Sequence, residues 1–330
     1  MDNETISRIL QQYGYSDFVL LPIEKGYRNE SHPFQLPSGQ ILNLILYKDE
    51  AGSLRLIRRA DRSSQAAARG GLPARQVASP KIVKLQAGIW RKYGQIYTYL
   101  PGRTIPWEAY TQEHIKLLGK TLSDLHYLLQ NLPPNGYPLV ADQYTDLVSF
   151  MRSYFAESGV KRALVDKLQL QLRPATFNRF EQIMRACKAL QHQQVLHMDF
   201  VRSNILFRED PTLAISGILD FEKTAVGHPC FDIARTLAFL LVDCKYKTEL
   251  QVRKYFLYSG YVRRGKYEYH RVNIKGKDVS YPLLEALVEL FLVYDFYKFL
   301  RHNPYESLLE NEHFVRTRSL LLDRDLIQHT

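Results

Sequence analysis

A chain of 330 residues with 45% apolar and 24% charged residues has ordinary globular composition and enough length for two lobes, which excludes a fibrous or disordered chain. The formal net charge of +10 suits a nucleotide, phosphate or acidic partner without choosing among them. Three cysteines without Cys-x-x-Cys spacing, Cys187, Cys230 and Cys244, exclude a disulfide framework and read as buried thiols of a reducing, cytoplasmic compartment. The polar start, residues 1–5, lacks signal-peptide order, and the strongest apolar runs, 237–242 and 290–294, are too short to span a bilayer.

In chain order, Ile6, Ile9, Leu10 and Tyr13 recur at helical spacing and predict a short opening helix. Residues 19–24 read as a strand, Gly26-Tyr27-Arg28-Asn29 as a turn, 34–36 as a second strand and 41–47 as a third that ends in Lys48. Residues 53–69 form a helix stopped by Gly70-Gly71-Leu72-Pro73. Two more strands are expected over 82–100, with Gly88 and Gly94 at or near turns. Pro101-Gly102 then breaks the pattern and marks the boundary between an N-terminal lobe, 1–100, and a C-terminal lobe, 101–330.

The larger lobe opens with a helix over 111–129, whose apolar stripe is Ile115, Leu118, Leu122, Leu125 and Leu129. Further helices are expected over 145–157, 175–191, from Phe231 onward and over 283–300. The basic segment 263–277 reads as a solvated, sheet-like insert, with a small hairpin or extended excursion over 266–274, or as a surface for an acidic substrate, a protein or nucleic acid.

The chemistry concentrates between Val195 and Arg235. Asp199 and Asn204 share a loop framed by Val195-Leu196 and Ile205-Leu206-Phe207, and Asp220 ends the apolar run 213–219. Any one of these residues alone is most simply a turn or cap residue. In this order and spacing they form a phosphoryl-transfer set: Asp199 to orient a hydroxyl and accept its proton, Asn204 and Asp220 to offer hard oxygen ligands to Mg²⁺. A short hairpin would bring Asp220 beside Asn204. Arg202 reads either as a salt-bridged loop arginine or as a neutraliser of transferred phosphate.

The motif His197-x-Asp199-x-x-x-x-Asn204, the later Asp220, and Gly227, Pro229 and Asp232 in a Gly-x-x-x-x-Asp-hydrophobic-Ala pattern resemble the aminoglycoside phosphotransferase family, which includes choline, homoserine and methylthioribose kinases. The resemblance implies an α+β, two-lobed protein-kinase-like fold with a small antiparallel sheet and a mainly helical larger lobe. It implies ATP and Mg²⁺ as cofactors and a small-molecule hydroxyl acceptor. It makes His197 a brace of the loop and Asp232 a structural tie.

By the same resemblance Gly26 and Asn29 form the phosphate-covering turn, Tyr97 and Tyr99 lie in the interlobe connector around adenine, and a lysine of the third strand contacts the phosphates. The natural register puts Ile45 at that position, so the expected clamp is Lys48 reached through a register shift or bulge, with Asp61 as its acidic partner. Glu222 reads as a contact to metal-bound water or a basic residue, or equally as a plain structural pair. Glu285, Glu289, Asp295 and Glu306 read as an acidic acceptor pocket or a solvated face, and Tyr294, Tyr297 and Tyr305 as pocket or core. Alternatives are a kinase-like regulatory protein or pseudokinase, or a compact protein kinase. No zinc-finger or RNA-recognition pattern supports a nucleic-acid partner, and monomer or homodimer is left open.

Overall fold

The computed structural model describes residues 2–22, 24–25, 29–87, 90–262 and 281–330. Gly26 and the whole of 263–277 lie outside the described residues. The chain forms two compact units: the first runs to Thr104 and includes Asn204–Lys223, the second holds Ile105–Ser203 and Thr224–Thr330.

The first unit begins with helix α1 (Asn3–Gln12), capped by Asp2, whose carboxylate accepts the Thr5 N–H. Strands β1 (Val19–Leu20), β2 (Glu24–Lys25), β3 (Glu30–Gln35), β4 (Ile41–Lys48), β5 (Val83–Ala87) and β6 (Trp90–Thr98) form one antiparallel sheet in the order β1-β3-β4-β6-β5, with β2 also paired to β3. Side chains alternate across β4. Leu42, Leu44 and Leu46 pack with Ile6, Ile9 and Leu10 of α1, whereas Ile45 and Tyr47 pack with Ile57 of helix α2 (Ser53–Arg69) on the other face. Gly94 lies within β6 and not at a turn; its carbonyl accepts a hydrogen bond from the Tyr13 hydroxyl.

The second unit carries helices α3 (Gln112–Leu129), α4 (Val140–Ala156) and α5 (Ser158–Leu168), strand β7 (Leu170–Leu172), helix α6 (Ala175–Lys188) and strand β8 (Gln194–Leu196). The chain then contributes the hairpin β9 (Ile205–Phe207) and β10 (Ile215–Ile218) to the first unit. Backbone bonds account for this placement: Arg103 and Phe207 exchange N–H···O=C pairs at 3.1 and 2.9 Å, and the Ile218 N–H donates to the Pro73 carbonyl at 2.7 Å. Gly102, at φ +122°, permits the close approach, because a β-carbon there would sit 2.5 Å from the Phe207 carbonyl oxygen. Thus 204–223, expected with the larger lobe from its place in the sequence, packs with the sheet-bearing unit.

Strand β11 (Ala225–Gly227) pairs with β8 and leads to α7 (Cys230–Asp243) and α8 (Glu249–Arg253), after which a π-helix spans Lys254–Tyr261. Helices α9 (Tyr281–His302), α10 (Tyr305–Leu308) and α11 (Glu312–Asp323) and strand β12 (Ile327–His329), paired with β7, complete the unit. The three cysteines are buried free thiols, and no helix among the described residues is long and apolar enough to cross a membrane.

The π-helix meets α3 backbone to backbone. A β-carbon on Gly119 would lie 2.2 Å from the Phe256 carbonyl oxygen, and one on Gly260 would lie 2.7 Å from the Lys116 carbonyl oxygen. A methyl group has no room there and no flexible side chain to push aside. Gly119→Ala is therefore expected to lower unfolding free energy by about 3 kcal/mol, the upper end of overpacking costs. Urea denaturation measures it; a loss within experimental error would show that the two helices separate freely.

Candidate active site

The loop that carries Asp199 leaves β8 fully buried. His197 has no exposed surface, and Met198 adopts φ +63°, a left-handed conformation that costs a non-glycine residue on the order of 1–2 kcal/mol. The loop is held there by Asp232 on α7, whose two carboxylate oxygens accept the backbone N–H groups of His197 and Met198, each at 2.7 Å. The same carboxylate accepts from His126 Nε2 on α3 at 3.0 Å, and His126 Nδ1 lies 2.7 Å from the Tyr261 hydroxyl at the end of the π-helix. His197 Nδ1 accepts the Asp199 N–H at 3.2 Å, and the Thr236 hydroxyl donates to the Phe200 carbonyl at 3.0 Å. His197 and Asp232 thus do the bracing work that their motif positions imply. Tyr261 was not readable as part of it, since its contact depends on a π-helix with no sequence signature beyond Gly260.

Asp199 is 7% exposed and lies in the electrostatic range of Arg235 and Tyr144. Arg235 is pinned by Asp295, with Nη1 at 3.1 Å from both carboxylate oxygens, and Lys298 lies 2.7 Å from the same carboxylate. Glu285 pairs with Arg253, Glu289 with Arg179 at 2.8 Å, and Glu306 with Lys167. All four acids considered for an acceptor pocket therefore have basic partners. Tyr294 and Tyr297 sit in an aromatic cluster with Tyr154 and Tyr144, and the Tyr305 hydroxyl lies 3.2 Å from that of Tyr154. Arg202 Nε lies 3.7 Å from Asp243, in keeping with the salt-bridged loop arginine.

The other two members of the set come together on the hairpin. Ile205 pairs with Ile218, and the Leu219 N–H donates to the Asn204 carbonyl at 2.8 Å, which puts Asp220 beside Asn204. Asp220 adopts φ +54°, a conformation that aspartate tolerates better than most residues, and its Oδ1 accepts the Glu222 N–H at 3.3 Å. An amide oxygen and a carboxylate oxygen on adjoining strand ends are hard donors of the kind a nucleotide-bound Mg²⁺ takes from protein, the rest of its octahedron being phosphate and water. Asp199 belongs to the second unit, and Asn204 and Asp220 to the first.

The expected nucleotide residues fare differently. Asn29 donates through Nδ2 to Glu222 Oε1, and Arg59 Nη2 donates to the Glu222 carbonyl at 2.9 Å, so both fasten the segment after Asp220. Lys48 is exposed. Pairing of β4 with β6 runs without a bulge from Leu42–Thr98 to Lys48–Lys92, so the register shift needed to turn Lys48 toward α2 is absent. Lys48 consequently shares the parity of Leu42, Leu44 and Leu46, not that of Ile45 and Tyr47. Tyr97 is inside β6 and not in the connector; its ring is fully buried and its hydroxyl donates to Asp61 Oδ1 at 2.7 Å. Tyr99 follows the strand, and its N–H donates to the Ile41 carbonyl.

Burial pushes the Asp243 carboxyl up to about 6, with Arg202 opposing the rise. Its folded-state value exceeds its unfolded one, so between about pH 4 and 6 the folded chain holds a proton that the unfolded chain has released, and stability falls as pH rises through that window. Asp243→Asn should remove roughly 1.4 kcal/mol per pH unit from that slope. Chemical denaturation at pH 4.5, 5.5 and 6.5 measures it; parallel wild-type and variant slopes would contradict the assignment.

Residues 19–254 match the family described as "Phosphotransferase enzyme family". A hydroxylysine kinase of Danio rerio is 23% identical over 252 residues, 70% of this chain and 67% of that protein. Among solved structures, an amicoumacin kinase in complex with AMP-PNP and Ca²⁺ superposes with a TM-score of 0.70 at 12% identity, covering 98% of this chain and 94% of that one. A microcompartment-associated aminopropanol kinase gives 0.69 at 15% identity, with all of both chains covered.

Proposed function

Because the chain belongs to the phosphotransferase enzyme family, we propose that it is an ATP- and Mg²⁺-dependent kinase that phosphorylates a hydroxyl of a small molecule. The observation that carries this reading is the hairpin that sets Asn204 beside Asp220, following the Asp199 loop, whose His197 and Met198 N–H groups donate to a buried carboxylate. Asn204 and Asp220 would hold the metal, which when bound neutralises charge on the transferring phosphoryl group. Asp199 orients the acceptor hydroxyl and takes its proton. Its loop is fixed before substrate arrives, so the carboxylate needs no reorganisation when the hydroxyl attacks.

Two relatives guide the choice of acceptors to test. Hydroxylysine and aminopropanol each carry an amine as well as a hydroxyl, and hydroxylated amines head the acceptors to be tried. A polycationic aminoglycoside is disfavoured by the neutralisation of Glu285, Glu289, Asp295 and Glu306. The exposed Lys48 is the observation that favours a second reading, a kinase-like binding or regulatory protein with weak nucleotide affinity.

ATP consumption across amino alcohols, hydroxylated amino acids, sugars, nucleosides and aminoglycosides, with mass detection of the phosphorylated product, separates the two. A product eighty mass units heavier than one acceptor is expected, and nucleotide binding without transfer to any would support the second reading. Asp199→Asn is expected to lower turnover by about 10²–10⁴-fold, the usual worth of a positioned general base. Its melting temperature should stay near that of the wild type; equal losses of activity and stability would mark Asp199 as structural.

A further inference from the structure

The helix-facing side of the sheet in the first unit contains a buried cation that the strand pattern did not anticipate. Arg75 is 7% exposed. Its Nη2 donates to the Tyr47 hydroxyl at 2.9 Å, and its guanidinium stacks over the Tyr97 ring at 4.2 Å from the centroid. The Tyr47 and Tyr97 hydroxyls are 2.9 Å apart, and the Tyr97 hydroxyl lies 2.7 Å from Asp61 Oδ1.

Proton directions in this chain follow from chemistry. A guanidinium only donates and an ionised carboxylate only accepts. Tyr97 therefore gives its hydrogen to Asp61 and accepts from Tyr47, which accepts from Arg75. Every donor points from the cation toward the anion, so the two phenols connect an Arg–Asp pair whose charges do not touch. Burial raises the Asp61 carboxyl, Tyr97 and Arg75 opposing it, and also raises both phenols, which stay protonated.

The four residues belong to four segments: Asp61 to α2, Tyr47 to β4, Tyr97 to β6, and Arg75 to the stretch that follows α2. The neighbour of Arg75, Ala74, bridges to Ile218, and Ile218 lies two residues before Asp220. Arg75 also lies in the electrostatic field of Glu222, to which Asn29 and Arg59 are bonded. Its Nε, fully enclosed, has no hydrogen-bond partner among the described residues. A fully enclosed guanidinium donor without a partner is destabilising, and the stack on Tyr97 only partly offsets this.

Resting on the nucleotide reading above, we propose that Arg75, relayed through Tyr47 and Tyr97 to Asp61, is a positioning residue that ties α2 and β4 to the Asp220–Glu222 segment and so sets nucleotide affinity. Position 45 of β4 is an isoleucine and brings no charge to this face of the sheet; the buried cation there comes from the α2–β5 connection instead. Arg75 does not touch the phosphates; it acts through the segments it joins.

The test is calorimetric titration with Mg-ADP, paired with thermal melting. Arg75→Met alone leaves Asp61 buried without its cation and can fail to fold, so Arg75→Met/Asp61→Asn, which removes both charges together, is the decisive variant. It is expected to stay folded and to bind Mg-ADP about tenfold more weakly, whereas Arg75→Lys, which keeps the charge, loses about threefold. Lys48→Ala is expected to bind within about twofold of wild type. A folded double variant with wild-type affinity, or a Lys48→Ala variant that loses affinity by the larger factor, overturns the inference. Wild-type protein that fails to bind Mg-ADP at millimolar concentration defeats the nucleotide reading itself, and the inference with it.

Discussion

A carboxylate with no exposed surface must have its lone pairs filled by donors, and in the second unit Asp232 has its oxygens filled by the loop before Asp199. Two backbone N–H groups at 2.7 Å and an imidazole at 3.0 Å surround it. Charge-assisted bonds of this kind are worth roughly 1.5–3 kcal/mol each when buried, more than the left-handed conformation they impose on Met198 costs. The loop conformation is therefore a consequence of where α7 presents its third residue. That presentation depends in turn on α3 and the π-helix, whose glycines let two backbones meet and bring Tyr261 to His126. A substitution at Gly119 would thus act on Asp199 across a continuous line of contacts, all within one unit.

The first unit solves a different problem. It needs to place an amide and a carboxylate together and to hold the segment after Asp220 against α2. The hairpin does the first by pairing Ile205 with Ile218. Asn29, Arg59 and Arg75 do the second, each from a different segment, converging on Glu222 by hydrogen bond or by charge. Glu222, which reads as a contact to metal-bound water or a basic residue or equally as a plain structural pair, joins these segments through Asn29 and Arg59, in keeping with the structural reading.

Much of this was legible. The spacing of Asp199, Asn204 and Asp220 implied a hairpin because two apolar runs with a turn between them have few other ways to bury themselves. Helix 111–129 followed from its 3.6-residue stripe, and Ser53–Arg69 from its composition and the glycines that end it. Lys48 illustrates the opposite case. Ile45 and Tyr47 share one parity and Lys48 has the other, so period-two alternation alone opposed the clamp unless a bulge intervened, and the pairing of β4 with β6 has none. Arg75 was not legible at all: an arginine after Gly-Gly-Leu-Pro reads as loop, and only the fold shows that the loop turns inward beneath Tyr97. The connector was misjudged by two residues for a similar reason, since Tyr97 is as β-prone as the residues before it and the strand continues through Thr98.

We propose that Asn204 and Asp220 form the metal end of a phosphoryl-transfer site. Electron paramagnetic resonance of Mn²⁺ added to the protein with ADP tests it without knowledge of the acceptor. Wild-type protein should take up Mn²⁺ stoichiometrically only with the nucleotide, and Asp220→Asn should lose most of that uptake while its melting temperature in the absence of nucleotide stays near wild type. Nucleotide-dependent Mn²⁺ binding that is unchanged in Asp220→Asn would contradict the account.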